Sequence, residues 1–270
     1  SAGAWQAKVR LDALAPGSPS VVRTAFYTAM ALRRYADAAQ ALAQWRAVDP
    51  TALSPMFRAA KLAEALGDTA GVNRAVQTLR AHGGNLTVTD GDMLRHGGAA
   101  LNREVEFASL ASYPPGTSYD TATFYVEKAE LFMSRGEVAR ARAAIDSGYP
   151  AMQHLVDNPR QSPFAARINT TYLGLMAAIR GDRATALAAI RRANASQPTT
   201  KYPNSLDKVN VICVTAQIYG ALDEVDSMLP YARRCFTAPN GYPLALLREP
   251  EFARHMNDPR LRAIARANRD

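Results

Sequence analysis

Apolar residues recur at three- and four-residue steps in separate stretches of this chain: Ala38, Ala41, Leu42 and Trp45; Val72, Val76 and Leu79; Ala141, Ala144 and Ile145; Ala186, Ile190 and Ala193. That spacing lays the apolar side chains along one face of an α-helix, so each stretch predicts an amphipathic helix with a buried stripe. Turn-forming residues separate the stretches, at Arg34-Tyr35, Gly67-Asp68, Ser134-Arg135-Gly136, Gly181-Asp182 and Gly220. Pro16 and Pro50 stand one 34-residue step apart, Ala4, Ala38 and Val72 keep the same step, and Gly136 follows Gly67 by 69 residues, close to two steps. A period of that size marks an array of stacked helix pairs, in which no hairpin buries its apolar face alone.

The pattern sets boundaries. Ser18-Pro19 opens the first complete pair, with Ser as N-cap and Pro in the first turn, and its second helix stops near Asp49-Pro50. Ser54-Pro55 opens the next pair, which turns at Gly67-Asp68 and ends at His82-Gly83-Gly84. Residues 85–117 form a divergent pair, with helices expected near 90–101 and 103–112, interrupted by Gly97-Gly98 and Pro114-Pro115. A further pair spans Thr121 to about Leu155, another centres on Gly181-Asp182, and the last runs from Lys208 to Tyr219 and from Asp223 to Phe236 around Gly220. The chain thus reads as one domain over 1–270: a partial repeat at 1–17, two repeats at 18–84, the divergent one, two to three repeats at 118–240, and C-terminal capping helices at 241–270. Because Ala4 to Val9 falls in what should be the second helix of a pair, we expect a fragment of a longer protein.

Composition narrows the class. Alanine supplies 52 of 270 residues, which suits closely packed helices and an all-α fold. No apolar run is long enough for a membrane span, and no charged segment precedes an apolar one as in a signal peptide.

Leu173-Gly174, Gly181-Asp182, Ala186, Ile190, Ala193 and Pro198 together resemble the tetratricopeptide repeat family. That family places a large residue and Gly in the first helix, a Gly-Asp turn, small residues where the helices cross, and Pro after the pair. Departures stand at Phe26, where the family has Gly, and at Trp45, where it has a small residue. The tail Leu247-Arg-Glu-Pro-Glu-Phe with Asn257-Asp-Pro-Arg-Leu is similar to the closing segment of repeat regions in bacterial signalling proteins and transcription regulators; there Phe252, Met256, Leu261 and Ile264 would cap the last apolar face.

The resemblance implies a right-handed superhelix whose first helices line a concave groove. Carried over residue by residue, the groove would hold Arg23, Tyr27, Phe57, Lys61, Glu64, Val126, Glu130, Met133, Thr171, Leu175, Asn210 and Gln217. Such a mixed set suits an extended peptide or a partner helix, with Tyr27 and Phe57 as anchors. The bland alternative makes Phe57, Val126, Met133 and Leu175 core residues. The family's clamp for chaperone tails needs Lys and Asn where this chain has Arg23 and Tyr27, so that ligand is not expected.

The balance of 32 basic and 24 acidic residues leaves +8, and arginine supplies 27 of the basic ones. Pairs such as Arg191-Arg192 sit near helix ends, where cations meet the helix dipole, so the charge favours acidic partners in general over specific nucleic-acid binding. His82, His96, His154 and His255 share no metal-ligand spacing, Asp90-Gly-Asp92 lacks the rest of a calcium loop, and Glu104, Glu106, Glu127 and Glu130 read as a solvated face, so no metal or other cofactor is expected. For Cys213 and Cys235 a hairpin turning at Gly220-Ala221 leaves the sulfurs six residues, roughly 9 Å, out of level, which favours two buried thiols over a disulfide. Cytoplasm and periplasm both stay open.

The first reading is therefore a non-enzymatic protein- or peptide-binding scaffold, regulatory or sensory in a larger signalling protein. The alternatives are a small-ligand sensor whose pocket is closed by 85–117, on the strength of Tyr113, Tyr119 and Pro114-Pro115, and a helical accessory domain of an enzyme. A homo-oligomer joined through end faces, with Trp5 as a contact, is a further expectation.

Overall fold

The three- and four-residue spacing closes into helices. A computed structural model of the chain describes residues 2–15, 17–81, 121–196 and 206–267, and among the described residues there are thirteen α-helices, one 3₁₀ segment and no strand. The first five are α1 (Ala2–Leu14), α2 (Pro19–Ala31), α3 (Tyr35–Val48), α4 (Leu53–Ala65) and α5 (Thr69–Ala81). Then follow α6 (Thr121–Ser134), α7 (Val138–Asp157), α8 (Pro163–Arg180), α9 (Arg183–Ala195), α10 (Leu206–Ala221) and α11 (Val225–Thr237). The 3₁₀ segment Leu244–Arg248, α12 (Pro250–Ala253) and α13 (Pro259–Arg266) close the chain. The helices expected near 90–101 and 103–112, and the 85–117 segment proposed to close a pocket, lie outside the described residues.

The helices associate as sequential hairpins, α2 with α3, α4 with α5, α6 with α7, α8 with α9, and α10 with α11. All five hairpins turn the same way. One residue takes a left-handed backbone, at Arg33, Gly67, Gly136, Gly181 and Asp223, with φ between 58° and 86°. The next residue's N–H donates to the carbonyl five residues back: Arg34 to Ala29, Asp68 to Ala63, Glu137 to Phe132, Asp182 to Ala177 and Glu224 to Tyr219, at 2.8–2.9 Å. This is the Schellman closure, which satisfies the last carbonyls of the first helix while reversing the chain.

Counted from that turn residue, the packing register repeats. Five positions on stand Ala38, Val72, Ala141, Ala186 and Met228, each at most 1% exposed. Seven positions back stand Phe26, Ala60, Ala129, Gly174 and Ala216, all buried. Gly174 shows why this position stays small: a β-carbon there would lie 2.8 Å from Ala189 Cβ and 3.0 Å from Ile218 Cδ1.

Two expectations shift. The last hairpin turns at Asp223, while Gly220 lies inside α10. Gly220 has a different duty: a β-carbon there would run into the Glu251 carbonyl and come 3.1 Å from Met228 Sδ, so its bareness lets α12 rest on α10. The second pair starts one residue before Ser54, at Leu53 with Ala52 as N-cap.

The described residues fall into two compact units. The first holds those up to Ala81 together with Pro243–Ala245. Among the described residues one of its cores joins Val22, Phe26, Ala29, Leu42, Trp45 and Leu62. Trp5, expected at an intermolecular contact, packs against that core and lies under the Arg34 guanidinium, 3.5 Å from its ring centre. The second unit holds the residues from Thr121 to Tyr242 and from Leu246 on. Its core is centred on α8, which is flanked by α7, α9 and α10 and buried almost continuously from Leu173 to Ile179. In that unit α12 packs on α10 and α13 on α11, burying Phe252, Leu261 and Ile264, with Met256 half-buried.

Candidate functional site

Placement divides the expected groove residues. In the second unit Val126, Glu130, Thr171, Leu175 and Gln217 are interior, and Met133 and Asn210 are half-buried. For Thr171 and Leu175 the cause is the surroundings of α8, which has neighbours on three sides, and the Thr171 hydroxyl donates to the Ile168 carbonyl of its own helix at 2.7 Å. As the bland alternative held for Val126 and Leu175, these side chains serve the core.

The first unit differs. Arg23 and Tyr27 lie one helical turn apart on α2, both exposed, and Tyr27 keeps 42% of its surface in solvent. Its ring meets Phe26 edge-on, with centroids 5.7 Å apart, which anchors the exposed ring on a buried one. From α4, Phe57 and Lys61 are half-buried, whereas Glu64 is interior at 2% exposure and ion-paired to Lys61 at 3.0 Å. The residue that joins the two helices is Arg58, which sequence reasoning passed over: its guanidinium carbon sits 5.0 Å from the Tyr27 ring centre. Its only sequence signal was its place between Phe57 and Lys61 on a helix already marked as groove-lining. The surface is thus aromatic and cationic, built from Tyr27 with Arg23 and Arg58 around it.

A second cluster lies in the second unit. Glu130 of α6, with Glu249, the N-cap of α12, and Glu251 within α12, brings three buried carboxylates to within 4.8 Å of one another. Oxygen donors of this kind suit a hard cation, but three are fewer than calcium takes, and none of the three side chains is free of other interactions. The cluster was hidden from spacing rules because its members come from opposite ends of the unit.

The cysteines contradict the expectation of two thiols. Cys213 of α10 and Cys235 of α11 form a disulfide, with Cα atoms 4.9 Å apart and both residues fully buried. The error lay in the turn. Moving the pivot from Ala221 to Asp223 brings Cys213 level with about residue 233, two residues or roughly 3 Å from its partner.

Electrostatic perturbation falls away from the Tyr27 surface. Hydrogen bonds from Thr185 hold the Asp182 carboxyl below its ordinary range, and those from Arg260 bring Asp258 down to about 2; both residues cap helix N-termini. Burial raises the Tyr149 and Tyr219 hydroxyls. No helix among the described residues is long and apolar enough to cross a membrane. Compared with family models, curated proteins and solved structures, the chain matches none.

Proposed function

We propose that this chain is a non-enzymatic scaffold of the tetratricopeptide kind that binds a segment of another protein, as the regulatory or sensory part of a larger signalling protein. The observation that carries the reading is the solvent-exposed Tyr27, held edge-on by Phe26 and with the Arg58 guanidinium over its ring. A rigid exposed aromatic beside arginine is the side-chain chemistry that dominates binding surfaces, since both bury large areas with few torsions to fix. The recurring hairpin turn supports the array, and the resemblance of the tail supports the signalling context. The test is capture of peptides from a displayed random library by the full chain and by its Tyr27→Ala variant. Enrichment of a motif by the first and not the second is expected; no enrichment by either would overturn the reading.

The compartment that fits is an oxidising one. A fully buried Cys213–Cys235 bridge forms during folding and is shielded from exchange afterwards, and structural disulfides persist outside the reducing cytosol. Alkylation of the unfolded protein from its native source, before and after reduction, should label no cysteine and then both. Two reactive thiols before reduction would sink this assignment.

A further inference from the structure

We infer that the face shared by α2 and α4 takes an acidic peptide, with an Asp or Glu carboxylate on the Arg58 guanidinium beside Tyr27; this rests on the binding role proposed above. The ionic bookkeeping of the first unit points there. Arg34 is paired with Asp37 at 2.6 Å, Arg74 with Asp68 at 3.5 Å and Lys61 with Glu64 at 3.0 Å. Arg58 and Arg23 have no such acidic partner among the described residues, and Arg58 Nε is shielded from solvent with no hydrogen-bond acceptor. A half-buried guanidinium without a counter-charge is uncomfortable, since burial weakens its hydration and no acidic group among the described residues replaces it.

Its position on Tyr27 says what would replace it. A guanidinium over an aromatic ring uses its face for the ring and keeps its N–H groups in its plane; with Nε shielded from solvent, the edge left for a ligand is that of the two terminal nitrogens. That edge matches the two oxygens of a carboxylate, and the weakly hydrated, planar arginine head suits such a bidentate pair better than lysine. Exposed Arg23, one turn from Tyr27, adds a second cation on the same face of α2, so the occupant carries several negative charges. Exposed Tyr27 and half-buried Phe57 offer apolar surface to neighbouring side chains of the same segment. Charge complementarity thus favours an acidic peptide with interspersed apolar residues over a neutral or basic one.

Fluorescence anisotropy of the full chain tests this, with labelled peptides of Asp, Glu and Leu, their Lys/Arg and Asn/Gln counterparts, and a single-stranded oligonucleotide as a second anion. The acidic peptide should bind, more weakly as salt rises, with affinity about tenfold lower in Arg58→Gln. Arg58→Lys should recover only part of that loss, because the charge returns without the planar fork. Since Arg58 is half-buried, exposed Arg23→Gln serves as the second variant and should weaken binding a few-fold with unchanged helicity by circular dichroism. Equal binding of neutral, basic and acidic peptides through Tyr27 overturns the acidic preference and leaves the scaffold reading standing. Binding of the oligonucleotide but not the acidic peptide overturns it in favour of nucleic acid. Binding of no peptide at all removes both readings together.

Discussion

Single side chains decide how closely the helices approach. At Gly174 a methyl group would meet Ala189 Cβ at 2.8 Å, and that atom is held by its own helix backbone, so α8 and α9 must part. Gly174→Ala should therefore destabilise the second unit by about 1–3 kcal/mol despite the better helix propensity of alanine, measured as a lower urea midpoint. At Gly220 the obstacle is the Glu251 backbone, which cannot swing aside as a side chain can. Gly220→Ala should loosen α12 in particular, seen as faster amide exchange around Phe252. The capping carboxylates act at a different level. The Asp258 carboxyl is held at about 2, below the ordinary value of about 3.9, so its stabilisation of α13 is fully present above that ordinary value. It is lost as pH falls from there towards about 2. Amide exchange or NMR of the Leu261 and Ile264 region across that window should report α13 loosening, and Asp258→Asn should remove the acid-dependent step.

Helices and their turns form the next scale. One closure, a left-handed residue followed by a bond to the carbonyl five residues back, ends the first helix of all five described hairpins. Glycine holds the position three times, and Asp223 holds it with the tolerance of a short polar side chain. The step from Gly136 to Gly181 is eleven residues longer than the one from Arg33 to Gly67. The excess went into helix: α7 has 20 residues against 14 in α3, and α8 has 18 against 13 in α4. Longer helices bury more of α8, and that is why its expected groove residues became core. Between α10 and α11 the disulfide closes a loop with a sequence separation of 22 residues. On the chain-entropy account such a loop contributes about 3 kcal/mol, so the Cys213→Ser, Cys235→Ser double variant should unfold at correspondingly lower denaturant, with the hairpin intact in native buffer.

At the scale of the whole molecule, the second unit has its own core, its own cross-link and its own capping helices. A chain limited to residues 107–270 should fold by itself and unfold in one cooperative step followed by circular dichroism, since a core of that kind needs no outside support. Two separate transitions in that chain would count against it. The uncompensated arginines of the first unit sit within a net charge of +8, so attraction of acidic partners should weaken as salt screens it.

The sequence by itself determined the helices, their pairing and most turns, because helical periodicity and the left-handed preference of glycine are local properties. Gly67, Gly136 and Gly181 announced their hairpins; the first turn was read one residue late, at Arg34-Tyr35 instead of Arg33, and the last was misplaced from Asp223 to Gly220, since neither Arg nor Asp is bound to that backbone and glycine offered a stronger but false signal. Placing that turn by two residues made the difference between two thiols and a disulfide. Tertiary structure alone decided which first helices face solvent: Tyr27 and Leu175 were assigned to equivalent faces, and the crowding of α8 by three neighbours separates them. It alone set Arg58 on Tyr27 and gathered Glu130, Glu249 and Glu251, because a contact between distant segments leaves no periodic trace along the chain.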